Sequence, residues 1–219
     1  MVQAAALLFA ERGFESAAVA DILERAGANS GSLYHFFGGK RDLLIEVLRR
    51  HRRDLALRLA SPDLREISDP IDRVFGLLGS YRDALARSDC QQGCPIIALA
   101  IELRAPDPEV GSALAAYFDA WIDVVEGWFE ESVIRSPQGY GARDLATLAL
   151  AVLQGGVIEA RVSRSVESFD RAISLLRLAL IGLKRVAHDE VVGRSGRVPP
   201  RGEAPRRSRS DNGREILTP

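Results

Sequence analysis

Cysteine is scarce in these 219 residues: there are two, Cys90 and Cys94. They sit too close together to staple distant segments, so a disulfide framework is excluded and a reducing cytoplasm is the expected setting. The histidines, at 35, 51 and 188, do not join the cysteines in a four-ligand set, so the pair is read as structural and no metal or other cofactor is expected. No uninterrupted apolar run approaches the roughly 18 to 20 residues of a membrane span, and the apolar start from Met1 to Ala10 is broken by Glu11 and Arg12. No span, secretory signal or membrane partner is expected. Neither charge is in excess, with 29 basic against 30 acidic residues. Affinity for a polyanion must then come from local clustering, and a protein that coats DNA evenly is disfavoured. Alternating β-branched stretches and repeats at solenoid periods are also missing, which leaves an all-α chain. No nucleophile, base and orienting group stand at a supporting spacing, so an enzyme built on Cys94 or His35 is disfavoured.

What is present is the balance of an ordinary soluble globular protein, 47% hydrophobic and 27% charged. Residues 1–48 have short periods and turn signals at Gly13, Gly27 and Gly38-Gly39, which predicts three short helices opening into a fourth. Residues 49–190 have longer periods. Prolines at Pro70, Pro95, Pro106, Pro108 and Pro137 fall near helix starts, where a missing N–H costs nothing, and punctuate five more helices. Residues 191–219 turn to Arg, Ser, Gly and Pro, too poor in apolar groups to offset ordering entropy, and predict a disordered basic tail.

The strongest functional signal is in the first segment. Val19, Ile22, Leu23 and Ala26 follow helical spacing, and Gly27 supplies a left-handed stop. A second helix follows at once, capped by Asn29 or Ser30, with Leu33 and Phe37 inward and Ser30, Ser32, Tyr34 and His35 outward. Two short helices joined by a tight turn form a helix-turn-helix, whose second helix fits a DNA major groove roughly 12 Å wide. Hydroxyls reach phosphates or base edges, and Lys40, opening the next helix, supplies a mobile cation. For an isolated Tyr-x-Phe, Tyr34, Phe36 and Phe37 would read as core aromatics. The run Arg49 to Arg53 radiates around its helix at about 100° per residue and reads as a solvated linker.

The ordered set Phe9-Ala-Glu-Arg-Gly-Phe14, Val19-Ala-Asp-Ile22, Ala26-Gly27, Gly31-Ser-Leu-Tyr-His-Phe-Phe37, Lys40 and Leu43-Leu44 resembles the DNA-binding domain of TetR/AcrR transcriptional repressors. The resemblance implies an Ω-shaped homodimer of nine helices per subunit, an effector cavity in the larger domain, and release from operator DNA when a small molecule binds. It carries phosphate contacts to Tyr34, His35 and Lys40, and groove-facing positions to Ser30 and Ser32. Gly93-Cys-Pro-Ile-Ile-Ala-Leu-Ala-Ile-Glu102 is similar to a segment of the multidrug-efflux repressor branch. Three departures stand out. Ala17 and Ala18 replace the family's usual threonines, leaving Ser16 as the cap candidate; Ser30 stands where a base is common; and Met1 falls inside the first helix, as in a truncated start.

In the larger segment, Tyr117, Trp121, Val124 and Trp128 form one helical stripe beside another of Phe118, Ile122, Val125 and Phe129, with acids opposite. Both stripes can be packed core, or Tyr117, Trp121 and Trp128 can line a cavity for a small lipophilic or aromatic effector that Gln154 or Glu159 orients. Two long helices, 142–163 and 167–188, carry more apolar residues than one face needs, and Gly155-Gly156 predicts a close helix approach at a four-helix dimer interface.

Overall fold

The computed structural model describes residues 1–91, 93–103, 107–132 and 139–195, with side chains as far as residue 184. Expectations resting on Pro106, Pro137, the His188 side chain and the tail from residue 196 lie outside the described residues. Among the described residues the fold is all-α, in the order α1 (Val2–Arg12), α2 (Val19–Ala26), α3 (Ser30–Phe36), α4 (Lys40–Leu59), α5 (Pro62–Glu66), α6 (Pro70–Arg87), α7 (Pro95–Glu102), α8 (Pro108–Glu131), α9 (Ala142–Ser163) and α10 (Glu167–Ser195). Nine of these have seven residues or more, and the five-residue α5 is additional. Too short to show a period, α5 is marked only by Ser61-Pro62 at its entry. The last helix runs past its expected end at His188, so residues 191–195 are helical in backbone rather than part of the tail.

Proline opens α5, α6, α7 and α8, where its fixed φ suits the first turn. Asp69 and Asp107 complete two of these starts by accepting backbone N–H groups of α6 and α8. At 22 residues, α9 is long and apolar enough by composition to cross a membrane, but Leu145, Ala149, Leu153 and Val157 bury one of its faces against α8 and α10, as in the centre of a helical bundle.

Two cores form. One lies among α6, α8, α9 and α10, with Leu55 and Leu59 of α4 reaching into it. The other fills the bundle of α1 to α4, and Ile96 and Leu99 of α7 and Val110 and Leu114 of α8 are built into it. Packing therefore continues from the helix-turn-helix into the larger bundle without a break near residue 48.

The two glycines of α9 have different roles. A Cβ on Gly156 would meet the Phe169 ring at 2.8 Å, so this glycine admits α10 within the protomer, whereas a Cβ on Gly155 meets nothing within 4 Å. Gly156→Leu should destabilise the folded chain by about 3 kcal/mol or more through overpacking. Gly155→Leu should leave the denaturant midpoint of an isolated protomer nearly unchanged. Equal midpoints for the two variants would refute this division.

Candidate functional site

The helix-turn-helix forms largely as its residues dictate. Gly27 ends α2 in the left-handed region, at φ 59° and ψ 35°, and Asn29 caps α3 by accepting the Ser32 N–H at 2.8 Å. At the entry to α2 the cap position is Ala18 and no side chain bonds there, so Ser16 does not replace the missing threonine. Ala17 is fully buried, which accounts for a methyl at that position. In α3 only Leu33 is fully buried, while Ser30, Tyr34 and His35 are exposed as expected and Ser32 is half-buried. Phe36 is exposed as well, at 69%, with its ring edge-on to His35 at 4.6 Å. An isolated Tyr-x-Phe would place Phe36 in the core; the full ordered motif reverses that reading but gives Phe36 no role of its own. The signal that could have found it is that a seven-residue helix anchored by Leu33 and Phe37 has no inward place left for it.

Lys40 does not simply point outward. Its ammonium donates to the Glu15 carbonyl at 3.1 Å and lies 4.6 Å over the Phe14 ring, so it braces the turn between α1 and α2 from the first residue of α4. Two of its three donors stay available to an anion.

The same turn is held from the other side. Glu102, the last residue of α7, accepts the Phe14 and Glu15 backbone N–H groups on its two carboxylate oxygens, each at 2.8 Å. Gly13 makes this possible. Its φ is +82°, and a Cβ there would lie 2.8 Å from the Glu102 oxygens. A second link joins Arg41 of α4 to Asp107 through two bonds of 2.6 and 2.7 Å, and to Glu109 at 2.9 Å. Hydrogen bonding from Arg41 holds the Asp107 carboxyl down to about 2, below the usual range, so the link persists across physiological pH. Sequence reasoning named neither Glu102 nor Arg41 as functional, because each partner lies more than sixty residues away.

At its other end α7 meets a cavity. Cys94, its cap residue, lines a space of about 20 Å³ together with Tyr81, Tyr117, Trp121, Leu153 and Gln154. Tyr81, Cys94 and Tyr117 also line a cleft of about 260 Å³, whose mouth carries His51, Asp54 and Arg58. Three of the four expected cavity residues, Tyr117, Trp121 and Gln154, are thus brought together. Trp128 is not among them. It lines a separate outer groove of about 950 Å³ between α4 and α8, where Arg73 stacks on it at 5.7 Å beside Arg49, Arg52 and Arg53. Seven residues separate Trp121 from Trp128, and the two rings sit on different spaces along one long helix. Cys90 is buried and Cys94 half-buried, and both are free thiols. The Cys94 sulfur lies 3.8 Å from the Tyr117 hydroxyl. Burial pushes the Tyr81 hydroxyl up and the Tyr117 hydroxyl well above the usual tyrosine range, so both stay protonated at neutral pH.

A helix-turn-helix whose core is shared with a cavity-bearing helical body is the architecture of a helix-turn-helix transcriptional regulator. Comparison with known proteins gives the family. Residues 2–47 match bacterial regulatory proteins of the tetR family, and residues 70–174 match the LmrA/YxaF-like transcriptional regulator C-terminal domain. The HTH-type transcriptional regulator Rv0196 of Mycobacterium tuberculosis is 34% identical over 187 residues, covering 83% of this chain and 92% of that one. The repressor DhaR of a Mycobacterium species is 28% identical over 187 residues, covering 83% and 90%. The chain belongs to the TetR family of transcriptional regulators. Solved structures agree on the fold: a TetR regulatory protein from Rhodobacter sphaeroides superimposes with a TM-score of 0.71 at 21% identity, over 80% of this chain and 94% of that one. The Bacillus subtilis regulator FadR, solved with stearoyl-CoA, superimposes with a TM-score of 0.66 at 18% identity, over 82% and 95%.

Proposed function

We propose that the chain is a cytoplasmic, homodimeric repressor that binds operator DNA through residues 1–48 and is released by a small, mostly apolar effector held in residues 49–190. Ser30 and Ser32 face base edges, Phe36 offers an apolar contact to a thymine methyl, and Tyr34, His35 and Lys40 engage phosphates. Tyr117, Trp121 and Gln154 line the effector site. The observation that carries this reading is the span of α7: Cys94 and Ile97 face the cavity at one end, and Glu102 grips the α1–α2 turn at the other. A ligand that shifts α7 acts on that turn, and through Lys40 on the start of α4. The relative FadR, solved with stearoyl-CoA, supports small-molecule control in this fold.

Dimerisation is supported by a seam on α9. Leu148, Ala151, Gly155, Ile158 and Val162 recur at steps of three and four residues, all exposed, with Leu175, Leu178 and Ile181 of α10 exposed as well.

The test begins with sequencing of DNA fragments selected by the purified chain, which should return one short palindrome. Lys40→Ala should then weaken every sequence alike and lower the salt slope by about one counterion. Ser32→Ala should change base preference. Recovery of unselected DNA, or a salt slope unchanged in the Lys40 variant, would refute the operator face. Ligand and DNA should each weaken the other by the same factor, about 5- to 150-fold.

A further inference from the structure

The run Arg49 to Arg53, which reads as a solvated linker in the sequence, is divided by the fold. Arg49, Arg52 and Arg53 line the outer groove of about 950 Å³, while Arg50 pairs with Asp54 and His51 lines the inner cleft. Arg65 of α5 and Arg73 of α6 come to the same groove from the next two helices. Five guanidinium groups therefore border one concave space, and the one acid among its lining residues, Asp123, is bonded to Arg143 at 2.9 Å.

These cations are only partly neutralised by the protein. Arg53 bonds Glu46 at 2.8 Å, Arg73 bonds Glu131 at 3.1 Å, and Arg49 stands 3.7 Å from Glu109, which Arg41 already holds. Arg52 and Arg65 have no hydrogen bond or ion pair among the described residues. Like charges gathered in one place repel, and an anion that enters relieves the repulsion. Two unmatched cations set the charge of that anion at about two.

The rest of the groove is apolar. Leu59, Leu64, Val124 and Trp128 contribute to it, and Arg73 fixes one wall. The Arg73 guanidinium lies 5.7 Å over the Trp128 ring and donates to the Ile67 carbonyl at 3.2 and 3.3 Å, and its side chain is 16% exposed, so its position is set before a ligand arrives. A bare inorganic anion would leave the apolar lining wet, and a neutral hydrocarbon would leave Arg52 and Arg65 unmatched. The volume suits a small molecule. DNA fits less well, because the groove begins nine residues along α4 from Lys40, about 14 Å at a rise of 1.5 Å per residue, and is bordered by α4, α5, α6 and α8. None of its lining residues belongs to the effector cavity or the inner cleft.

We propose that this groove is a second ligand site, separate from the effector cavity, for a small soluble amphiphile: an apolar body that carries a phosphate-type dianion. Arg52 and Arg65 take the two charges, and Trp128 and Leu64 take the body.

The test titrates 1-naphthyl phosphate, 1-naphthol and inorganic phosphate into the full chain, by calorimetry and by the indole ¹⁵N–¹H signals, with the Trp128 signal identified by its loss in Trp128→Phe. The aryl phosphate should bind and move the Trp128 signal. At the same concentration 1-naphthol and inorganic phosphate should leave that signal in place. Arg52→Ala with Arg65→Ala, both at exposed positions, should weaken the aryl phosphate about tenfold or more, as expected for lost charge-assisted bonds, with operator affinity within about twofold. No binding of the aryl phosphate, a Trp128 signal that moves equally with either control, or an unchanged affinity in the double variant overturns the proposal. A double variant whose operator affinity and salt slope fall as in Lys40→Ala assigns both arginines to DNA phosphates and overturns it too. Retention of the chain by phosphatidylcholine vesicles containing phosphatidic acid, lost in the double variant, would make the partner a membrane headgroup and has the same consequence. If Trp128→Phe does not fold, the calorimetric comparison of the unmodified chain with the double variant decides. Each of these failures leaves the effector cavity standing, since the two spaces share no residue.

Discussion

Replacing Glu102 by alanine should lower operator affinity at least tenfold while effector affinity stays within about twofold. The carboxylate accepts both the Phe14 and the Glu15 N–H groups, and the turn it holds also receives Lys40. Hydrogen bonds to a charged acceptor contribute about 1.5–3 kcal/mol each, and partial exposure of this pair reduces the loss to about 2 kcal/mol in all. That cost falls on the α1–α4 bundle, so its amide exchange should quicken before that of α8 and α9. Glu102→Gln keeps one acceptor oxygen and should recover part of the affinity. Fluorescence anisotropy with the selected operator gives the answer, and an alanine variant that binds operator normally would remove α7 from the coupling.

The second large effect is expected at the exposed seam. Leu175→Asp with Leu178→Asp should give a chain that sediments as a single protomer, keeps its helical circular dichroism, and binds the palindrome about 100-fold or more weakly. The affinity falls because the second half-site no longer binds as an intramolecular event. The substituted side chains are 67% and 66% exposed, so the protomer's own core is untouched. A dimer of unchanged stability would place the interface on another surface.

The legible parts of this molecule were those set by local chemistry. Gly27, Asn29 and the prolines at helix starts act within a few residues of themselves, and their helices begin and end where those residues dictate. Tyr117, Trp121 and Gln154 could be grouped because α8 and α9 each display a readable apolar face. Trp128 falls on a different space from Trp121 because helical spacing gives the face of a residue but not what lies above it, and α8 passes from the inner cavity to an arginine-lined groove within two turns. Phe36 was given no role, because an exposed aromatic in a short helix differs from a buried one only through its neighbours. The links of Glu102 and Arg41 were invisible for a different reason. Both residues are ordinary as sequence and gain meaning only when partners distant in the chain are brought beside them.

The shared core of the reading head limits how the molecule can be recombined. Exchanging residues 1–48 for those of a relative, to graft a new operator preference onto this sensor, would leave Ile96, Leu99, Val110 and Leu114 facing a foreign bundle and Glu102 facing a foreign turn. A working hybrid should have to carry α7 and the first two turns of α8 along with the transplanted helices, so the smallest portable unit is discontinuous in the gene although continuous in space.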